Sequence, residues 1–138
     1  PVQWSDAENA GFSTAEPWFS VNPNYKQINV EAQEDDPGSL LNFYRRLLAF
    51  RKSNAVALYG TYKEYRPKDK NFYVYERRHE GKRLLVICCF APEFTRFDAP
   101  EGITLDDWTL ELSNYDGCFV IGNGFTARPY ELRVYSKG

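Results

Sequence analysis

Residues 71–90, NFYVYERRHEGKRLLVICCF, are the stretch from which the fold of this chain is predicted. Two runs rich in aromatic and β-branched residues flank the pair Glu80-Gly81, a composition typical of a hairpin. The second run, LLVICCF (84–90), is apolar at every position and therefore predicts a central strand that is buried on both faces. Similar short runs lie on either side of this hairpin, and together the predicted strands are 56–66, 71–78, 83–90, a weaker 94–98, 107–112, 118–121 and 125–135.

Turn-forming residues separate these runs and indicate how the strands are connected. Pro, Gly, Asn and Asp cluster at 67–71, 99–102 and 122–124, where reversals of the chain are expected. Consecutive strands should then pair antiparallel, and the charged run at 63–66 suits a strand at the edge of a sheet. We predict a mainly β fold, in which residues 54–138 form a small antiparallel β-sandwich.

One amphipathic helix is predicted before the strands, over residues 36–53. Asp36 has the side chain of an N-cap, and Pro37 suits the first helical position, where its missing N–H costs nothing. Apolar residues then recur at spacings of three and four, at Leu40, Leu41, Tyr44, Leu47, Leu48 and Phe50. The acidic start and basic end of this segment match the helix dipole, so we interpret those charges as structural.

The first 35 residues are rich in aromatic side chains but carry no regular period. Glycine, proline and asparagine interrupt every run that is long enough for a helix. A loop of this length inside a compact domain is usually functional or disordered, and disordered segments are poor in aromatics. We therefore expect an irregular loop that another part of the protein covers.

Composition excludes several classes of protein. The 17 basic and 19 acidic residues leave a formal charge of −2 without a basic stripe, so no nucleic-acid partner is expected. No apolar run approaches the ~20 residues needed to span a bilayer, so no membrane association is expected. The three cysteines suit reduced, buried thiols in a cytoplasmic protein. A start at PVQW without Met suggests a piece of a longer protein.

The sequence contains no recognisable catalytic or metal-binding pattern. Its single histidine, His79, lies beside the predicted Glu80-Gly81 turn, which does not favour a nucleophilic triad. The acidic residues at 34–36 lack the spacing of a calcium loop, and the cysteines lack that of a zinc site. We expect no metal, no cofactor and no catalytic residue in this chain.

Three segments resemble the carboxyl-terminal part of α-glucosidases of the α-amylase family (glycoside hydrolase family 13). The segments are PVQWSDAENAGFSTAEPWFSVNPNYKQINV (1–30), DPGSLLNFYRRLLAFRK (36–52) and RPYELRVY (128–135). The resemblance covers essentially the whole chain, and it points in particular to the group of oligo-1,6-glucosidase, dextran glucosidase and trehalose-6-phosphate hydrolase.

The resemblance implies a division of the chain into three parts. Residues 1–35 correspond to the loop after the last strand of a (β/α)₈ barrel, on the active-site side, residues 36–53 to the last barrel helix, and residues 54–138 to the C-terminal β-sandwich domain. The irregular loop and helix are then the remainder of the barrel. The covering expected over residues 1–35 is the rest of the barrel and the substrate.

The resemblance also implies an activity whose catalytic groups lie outside this chain. Family members are retaining glycosidases, in which an Asp nucleophile and a Glu acid/base lie about 5 Å apart. Both belong to strands that precede the matched region, so the isolated chain should be inactive. The implied partners are the N-terminal catalytic barrel of the same protein and an α-linked gluco-oligosaccharide of the isomalto type.

Three residues become candidates for lining the substrate pocket. The family motif PMQWD corresponds to residues 1–5 here, near the aglycone side of the pocket, and Gln3, Trp4 and Asp6 are the pocket-lining candidates. The chain departs from the motif at Val2, where Met is usual, and at Ser5, where Asp is usual.

Two alternatives remain open from the sequence. The sandwich could be an autonomous carbohydrate-binding module with an aromatic platform at Trp108 or Tyr115. It could also be a purely structural or oligomerisation domain. Without their covering, residues 1–35 are expected to be mobile or to pair with a second copy of the chain, because exposed apolar patches favour association.

Overall fold

The computed structural model describes all 138 residues of the chain as two compact units, Pro1–Phe50 and Arg51–Gly138. The first unit contains two 3₁₀ turns, Glu8–Gly11 and Pro23–Lys26, the short helix α1 (Val30–Glu34) and most of the helix α2 (Leu40–Ser53). Most of residues 1–35 is irregular, as predicted, although the short helix α1 was not predicted. None of the helices of the chain is long and apolar enough to cross a membrane.

Helix α2 begins later than the sequence predicted. The Asp36 carboxylate accepts a hydrogen bond from the Gly38 N–H (2.9 Å) and so forms a turn before the helix. The N-cap is Ser39, whose hydroxyl accepts a hydrogen bond from the Asn42 N–H (3.2 Å). The predicted start at Asp36 and Pro37 is therefore wrong by about one turn, because the aspartate caps a turn of its own.

The second unit contains the end of α2, one short α-helix, the 3₁₀ turn Leu105–Asp107 and seven strands. Helix α3 spans Ala55–Tyr59 and leads directly into the first strand. The strands are β1 (Thr61–Tyr65), β2 (Phe72–His79), β3 (Lys82–Cys89), β4 (Thr95–Asp98), β5 (Thr109–Ser113), β6 (Gly124–Ala127) and β7 (Leu132–Lys137). They form a five-stranded sheet in the order β1-β2-β3-β7-β5 and a two-stranded sheet, β4-β6, and every pairing is antiparallel.

The predicted mainly β fold is confirmed, and so are the hairpin and the positions of two strands within the sheet. The apolar strand β3 lies at the centre of the five-stranded sheet, and the charged strand β1 lies at its edge. Both sheets contribute to one hydrophobic core, in which Phe97 of β4 packs between Phe72 of β2 and Phe125 of β6 at 5.1 Å from each ring. The two sheets therefore share a core, as a sandwich requires.

Three of the predicted strands need correction. The run 56–66 begins with α3, because the Asn54 side chain caps a helix by accepting a hydrogen bond from the Ala57 N–H (3.1 Å). The run 118–121 forms no strand, and the run 125–135 is divided into β6 and β7. The division falls at a turn in which Tyr130 has a positive φ of 55°, a conformation that no regular strand contains.

Candidate functional site

The predicted pocket-lining segment, residues 3–6, is fastened to the rest of its unit by backbone hydrogen bonds. The carbonyls of Gln3 and Trp4 accept hydrogen bonds from the N–H groups of Val30 and Glu31, both at 2.9 Å. The N–H groups of Trp4 and Ser5 donate to the carbonyl of Ala10, at 2.9 and 3.1 Å. The segment is thus held from two sides without forming a regular element.

An unusual turn provides one of these anchors. Asn9, Ala10 and Gly11 all have positive φ, at 53°, 58° and 65°. Left-handed geometry costs a residue with a Cβ about 1–2 kcal/mol, and such strain is concentrated at functional sites. The sequence analysis missed this turn, although the asparagine and the glycine, residue types that tolerate left-handed geometry, were its signal.

Glycine suits position 11 because the backbone there has a positive φ of 65° and leaves no room for a Cβ atom. A Cβ atom at this position would lie 2.7 Å from the Ser5 hydroxyl oxygen, which is closer than real side chains approach. The same Ser5 hydroxyl accepts a weak hydrogen bond from the Ala7 N–H (3.3 Å). Residue 5, where this chain departs from the family motif, therefore packs directly against the backbone of the strained turn.

The three predicted pocket residues lie on this segment in different environments. The Gln3 amide nitrogen donates to the Asn24 side-chain oxygen (2.9 Å) and to the Ile28 carbonyl (2.5 Å), so Gln3 holds the loop together. The indole of Trp4 is 51% exposed. The Asp6 side chain is also exposed, while its backbone carbonyl accepts a hydrogen bond from the Lys26 ammonium (2.8 Å). Trp4 and Asp6 are thus exposed, and Gln3 fastens the segment that carries them.

Further aromatic rings are exposed in the same unit. Trp18 is 96% exposed, and its indole meets the ring of Phe19 edge to face, with the centroids 5.6 Å apart. Phe12 and Phe19 are exposed as well. An ordered segment that presents this much aromatic surface has the chemistry to stack against the apolar face of a sugar or against another protein surface.

The structure does not support the aromatic platform that the sequence suggested in the sandwich. Trp108 is only 7% exposed, and the guanidinium of Arg83 lies 4.7 Å from its ring. The ring of Tyr115 is covered by the guanidinium of Arg128 at 4.3 Å, and its hydroxyl donates to the Pro129 carbonyl (3.0 Å). Trp108 therefore serves the packing of the second unit, and its predicted role as a platform is wrong, whereas Tyr115 remains 37% exposed with the Arg128 guanidinium over its ring.

Two fully buried carboxylates in the second unit are ion-paired and are not arranged for catalysis. Burial alone would raise the pKa of Glu76, but hydrogen bonds from Arg78, Arg83 and Tyr65 outweigh burial and lower that pKa to about 2. The balance is the same at Glu131, where burial is outweighed by Arg128 and Arg133 and the pKa again falls to about 2. A general acid requires a raised pKa, so neither carboxylate suits that role.

The remaining nucleophilic and titratable side chains show no catalytic arrangement. His79 lies at the end of β2, and its imidazole is 4.0 Å from the Glu80 carboxylate, whose side chain is largely exposed. Burial raises the pKa of the Cys88 thiol to about 11, so this cysteine remains a thiol at neutral pH. All three cysteines are free, and no group of three or more metal-ligating side chains is present.

Comparison with known proteins gives the same family from sequence and from structure. The family model described as the catalytic domain of α-amylase matches residues 1–60. The oligo-1,6-glucosidase of Halalkalibacterium halodurans is 40% identical over 98% of this chain, and the trehalose-6-phosphate hydrolase of Escherichia coli is 36% identical over 95% of it. The crystal structure of the trehalose-6-phosphate hydrolase of Bacillus licheniformis superposes with a TM-score of 0.88, at 35% identity over 99% of the chain.

The match extends across both units but covers a limited part of each relative. The chain spans 24% of the length of the Halalkalibacterium enzyme, 23% of the Escherichia enzyme and 25% of the Bacillus licheniformis chain. Its antiparallel second unit corresponds to a C-terminal β domain of such enzymes. The chain therefore belongs to the α-amylase family of glycoside hydrolases, glycoside hydrolase family 13.

Proposed function

We propose that this chain is part of a retaining α-glucosidase that hydrolyses the α-glucosidic bonds of short oligosaccharides of the isomalto type. The proposal is supported by the relatives named oligo-1,6-glucosidase, which are 36–40% identical over 98% of the chain. Because the chain spans about a quarter of their length, the complete activity requires regions beyond the residues described here.

The proposed role of each part follows the resemblance to the family. Residues 1–35 would form the loop after the last barrel strand, residues 36–53 the last barrel helix, and residues 54–138 the C-terminal sandwich. The match of residues 1–60 to the catalytic-domain model supports this division, as does the compact β unit that follows it.

We assign residues 1–35 to one wall of the substrate pocket. The observation that carries this assignment is an irregular segment that is fastened by hydrogen bonds and yet leaves Trp4, Asp6 and Trp18 exposed. In the assigned roles, Trp4 and Asp6 face the aglycone side of the pocket, and Gln3 keeps the segment in place through its amide.

The assigned partner of α2 is the catalytic barrel of the same protein. Leu40, Tyr44 and Leu48 recur at four-residue spacing and so form one stripe along the helix, and all three are exposed. Leu40 is 75% exposed, which is unusual for the apolar face of an amphipathic helix. A barrel surface packed on this stripe would bury it and would tie the sandwich to the catalytic domain.

The catalytic carboxylates are assigned to the barrel and not to this chain. In a retaining mechanism one carboxylate attacks the anomeric carbon while the other protonates the leaving oxygen, and the two lie about 5 Å apart. Glu76 and Glu131, the two carboxylates that the second unit buries, are both paired with arginines and held ionised. We propose a cytoplasmic location for the complete enzyme, which the three unpaired thiols support.

A chimaeric enzyme tests the proposed function. The matched quarter of the Halalkalibacterium oligo-1,6-glucosidase would be replaced by residues 1–138, and glucose release from isomaltose would be measured for the chimaera and for the chain alone. We expect a hydrolytically active chimaera and an inactive chain. Glucose release by the purified chain alone, or a soluble and cooperatively folded chimaera without activity, would contradict the proposal.

A further inference from the structure

Three tyrosines share one face of the β1–β2 hairpin, opposite the hydrophobic core. In the register of the two strands Glu64 lies opposite Tyr75, and Tyr62 lies opposite Arg77. The ring of Tyr75 lies 5.6 Å from that of Tyr62 and 5.3 Å from that of Tyr73. We call Tyr62, Tyr73, Tyr75 and Glu64 the tyrosine face.

The hydroxyl groups of this face form an ordered chain. The Tyr62 hydroxyl lies 2.9 Å from that of Tyr73 and donates to the Glu64 carboxylate at 3.1 Å. Because a phenol has a single proton, Tyr73 must be the donor to Tyr62. The chain ends at Glu64, whose carboxylate can accept further hydrogen bonds from a ligand.

The tyrosine face remains accessible to a ligand. Tyr62 is 53% exposed and Tyr73 is 39% exposed, whereas Tyr75 is half-buried and supports the other two rings. Cross-strand aromatic pairs stabilise sheets, but a pair that served stability alone would gain most by burial. Tyr62 instead lies on the edge strand β1 and Tyr73 on the neighbouring strand β2, and their hydroxyls are hydrogen-bonded to each other.

The charges around the face select a neutral ligand. The Glu64 carboxylate disfavours a phosphate or another anion, and the Arg77 guanidinium, opposite Tyr62 on the same face, disfavours an organic cation. A neutral sugar fits both restrictions. Its apolar ring face can lie on an aromatic ring, and its hydroxyls can donate to the carboxylate.

We propose that the tyrosine face binds an α-linked gluco-oligosaccharide, with Tyr62 and Tyr73 stacking on the sugar rings and Glu64 accepting hydrogen bonds from their hydroxyls. The choice of an α-linked glucan over other neutral sugars rests on the proposed function. Neither Trp108 nor Tyr115 takes part. The site instead holds sugar on the five-stranded sheet, through residues that the sequence did not single out.

An NMR titration of the 138-residue chain with isomaltotriose tests this site. We expect amide shifts confined to β1 and β2 around Tyr62, Glu64 and Tyr73. The double variant Tyr62→Ala/Tyr73→Ala should weaken binding by about tenfold or more. Glu64→Gln, which removes the charge but keeps the shape, should weaken it by less.

Two controls separate stacking from nonspecific effects. Phe94→Ala removes another exposed ring of the same unit, outside the tyrosine face, and should leave the affinity unchanged. Sorbitol, a polyol without a sugar ring, should cause no shifts in β1 and β2. The chimaeric enzyme carrying Tyr62→Ala/Tyr73→Ala should still hydrolyse isomaltose, so loss of this site is distinguishable from failure of the proposed function.

Several results would overturn the proposal. These are shifts that persist unchanged in Tyr62→Ala/Tyr73→Ala, an absence of shifts in β1 and β2, and shifts centred on Phe94 or on residues 1–35. Equal shifts with sorbitol would also overturn it, because they would show that ring stacking is not involved. Association of the chain through this face, detected as shifts that depend on protein concentration and not on sugar, would identify a protein partner instead.

Discussion

Single residues control stability at the two buried carboxylates of the second unit. Glu131 accepts a hydrogen bond from Arg133 at 2.7 Å, and Arg133 itself is only 3% exposed. Glu76 is bonded to Arg78 at 2.7 Å and to Tyr65 at 2.7 Å. Replacing one partner of such a pair leaves an uncompensated buried charge, which typically costs about 3–5 kcal/mol.

These ion pairs predict loss of stability in acid. The pKa values of Glu76 and Glu131 fall from 4.5 to about 2 on folding, so each contributes stability that is complete above pH 4.5 and lost as the pH falls towards 2. A shift of this size corresponds to about 3 kcal/mol for each carboxylate, part of which solvent screens around the exposed Arg78. Urea unfolding between these pH values should therefore show a falling free energy of unfolding for the second unit.

The variant Glu131→Gln isolates one of these contributions. It should be less stable than the parent chain at neutral pH, and its free energy of unfolding should depend less on pH in the acidic range. Glu101→Gln, at an exposed position in a turn, is the matched control and should leave the pH dependence unchanged. If the free energy of unfolding of Glu131→Gln fell with decreasing pH as steeply as that of the parent chain, this assignment would be contradicted.

Gly11 gives a second prediction at the scale of a residue. Gly11→Ala places a Cβ against Ser5 and forces a left-handed alanine, so it should destabilise the first unit by about 1–2 kcal/mol. Ala10→Gly, at the neighbouring left-handed position, is the control and should cost little or nothing. Amide exchange at Trp4 and Ser5 measures both effects, and equal exchange rates in the two variants would argue against strain at this turn.

Residue types alone indicated that the sandwich has aromatic rings suited to sugar stacking, but they could not show which of these rings are exposed. Tryptophan and tyrosine are residue types that can stack on sugars, yet Trp108 is buried beneath Arg83. Which ring is exposed depends on the register of distant strands. Tyr62 and Tyr73 come together only because β1 and β2 pair, and that pairing is not a property of either residue.

At the scale of elements, the start of α2 is the clearest test of local sequence signals. Ser39→Ala should destabilise the helix by about 1 kcal/mol. The Ser39 hydroxyl caps the helix by accepting a hydrogen bond from the Asn42 N–H, and it also donates to the Gln33 carbonyl at 2.8 Å. Asp36→Ala removes only the turn before the helix and should cost less. Thermal unfolding monitored by helical circular dichroism compares the two variants. A larger loss of thermal stability in Asp36→Ala than in Ser39→Ala would support a helix that begins at Asp36, as the sequence predicted.

Other elements were predicted where the local pattern and the tertiary environment agree. LLVICCF is apolar throughout and lies at the centre of a sheet, so the sequence identified both its type and its place. Residues 56–66 have equally suitable strand composition, but the cap at Asn54 favours a helical turn first. The capping asparagine was a readable signal there, whereas the register of β5 against β7, with its shift between Leu110 and Leu112, was not.

At the scale of the whole molecule, the first unit presents many large apolar side chains to solvent. Its exposed large apolar side chains include Trp4, Phe12, Trp18, Phe19, Leu40, Tyr44 and Leu48. Contiguous apolar surface favours association when its partner is absent. The fold class, the family and the aromatic loop 1–35 could be predicted from sequence, but the exposed stripe of α2 could be identified only from the exposure of its side chains.

The exposed stripe of α2 predicts self-association of the isolated chain. Sedimentation velocity should show a distribution that shifts to larger species with concentration, and Leu40→Gln/Tyr44→Gln should reduce that shift. Tyr59→Gln, at an exposed tyrosine of α3, is the matched control. A strictly monomeric chain at all concentrations would show that the stripe does not drive association.

The most direct test of the whole account is the kcat/KM for isomaltose of the chimaeric enzyme carrying Trp4→Ala. Trp4 has an exposed indole on a segment held through its backbone, so the truncation should leave the loop folded while removing pocket surface. We predict that kcat/KM falls by about tenfold or more, while Phe119→Ala, an exposed ring of the second unit, leaves it within about twofold. A folded Trp4→Ala chimaera with unchanged kcat/KM would contradict the claim that residues 1–35 form a wall of the substrate pocket.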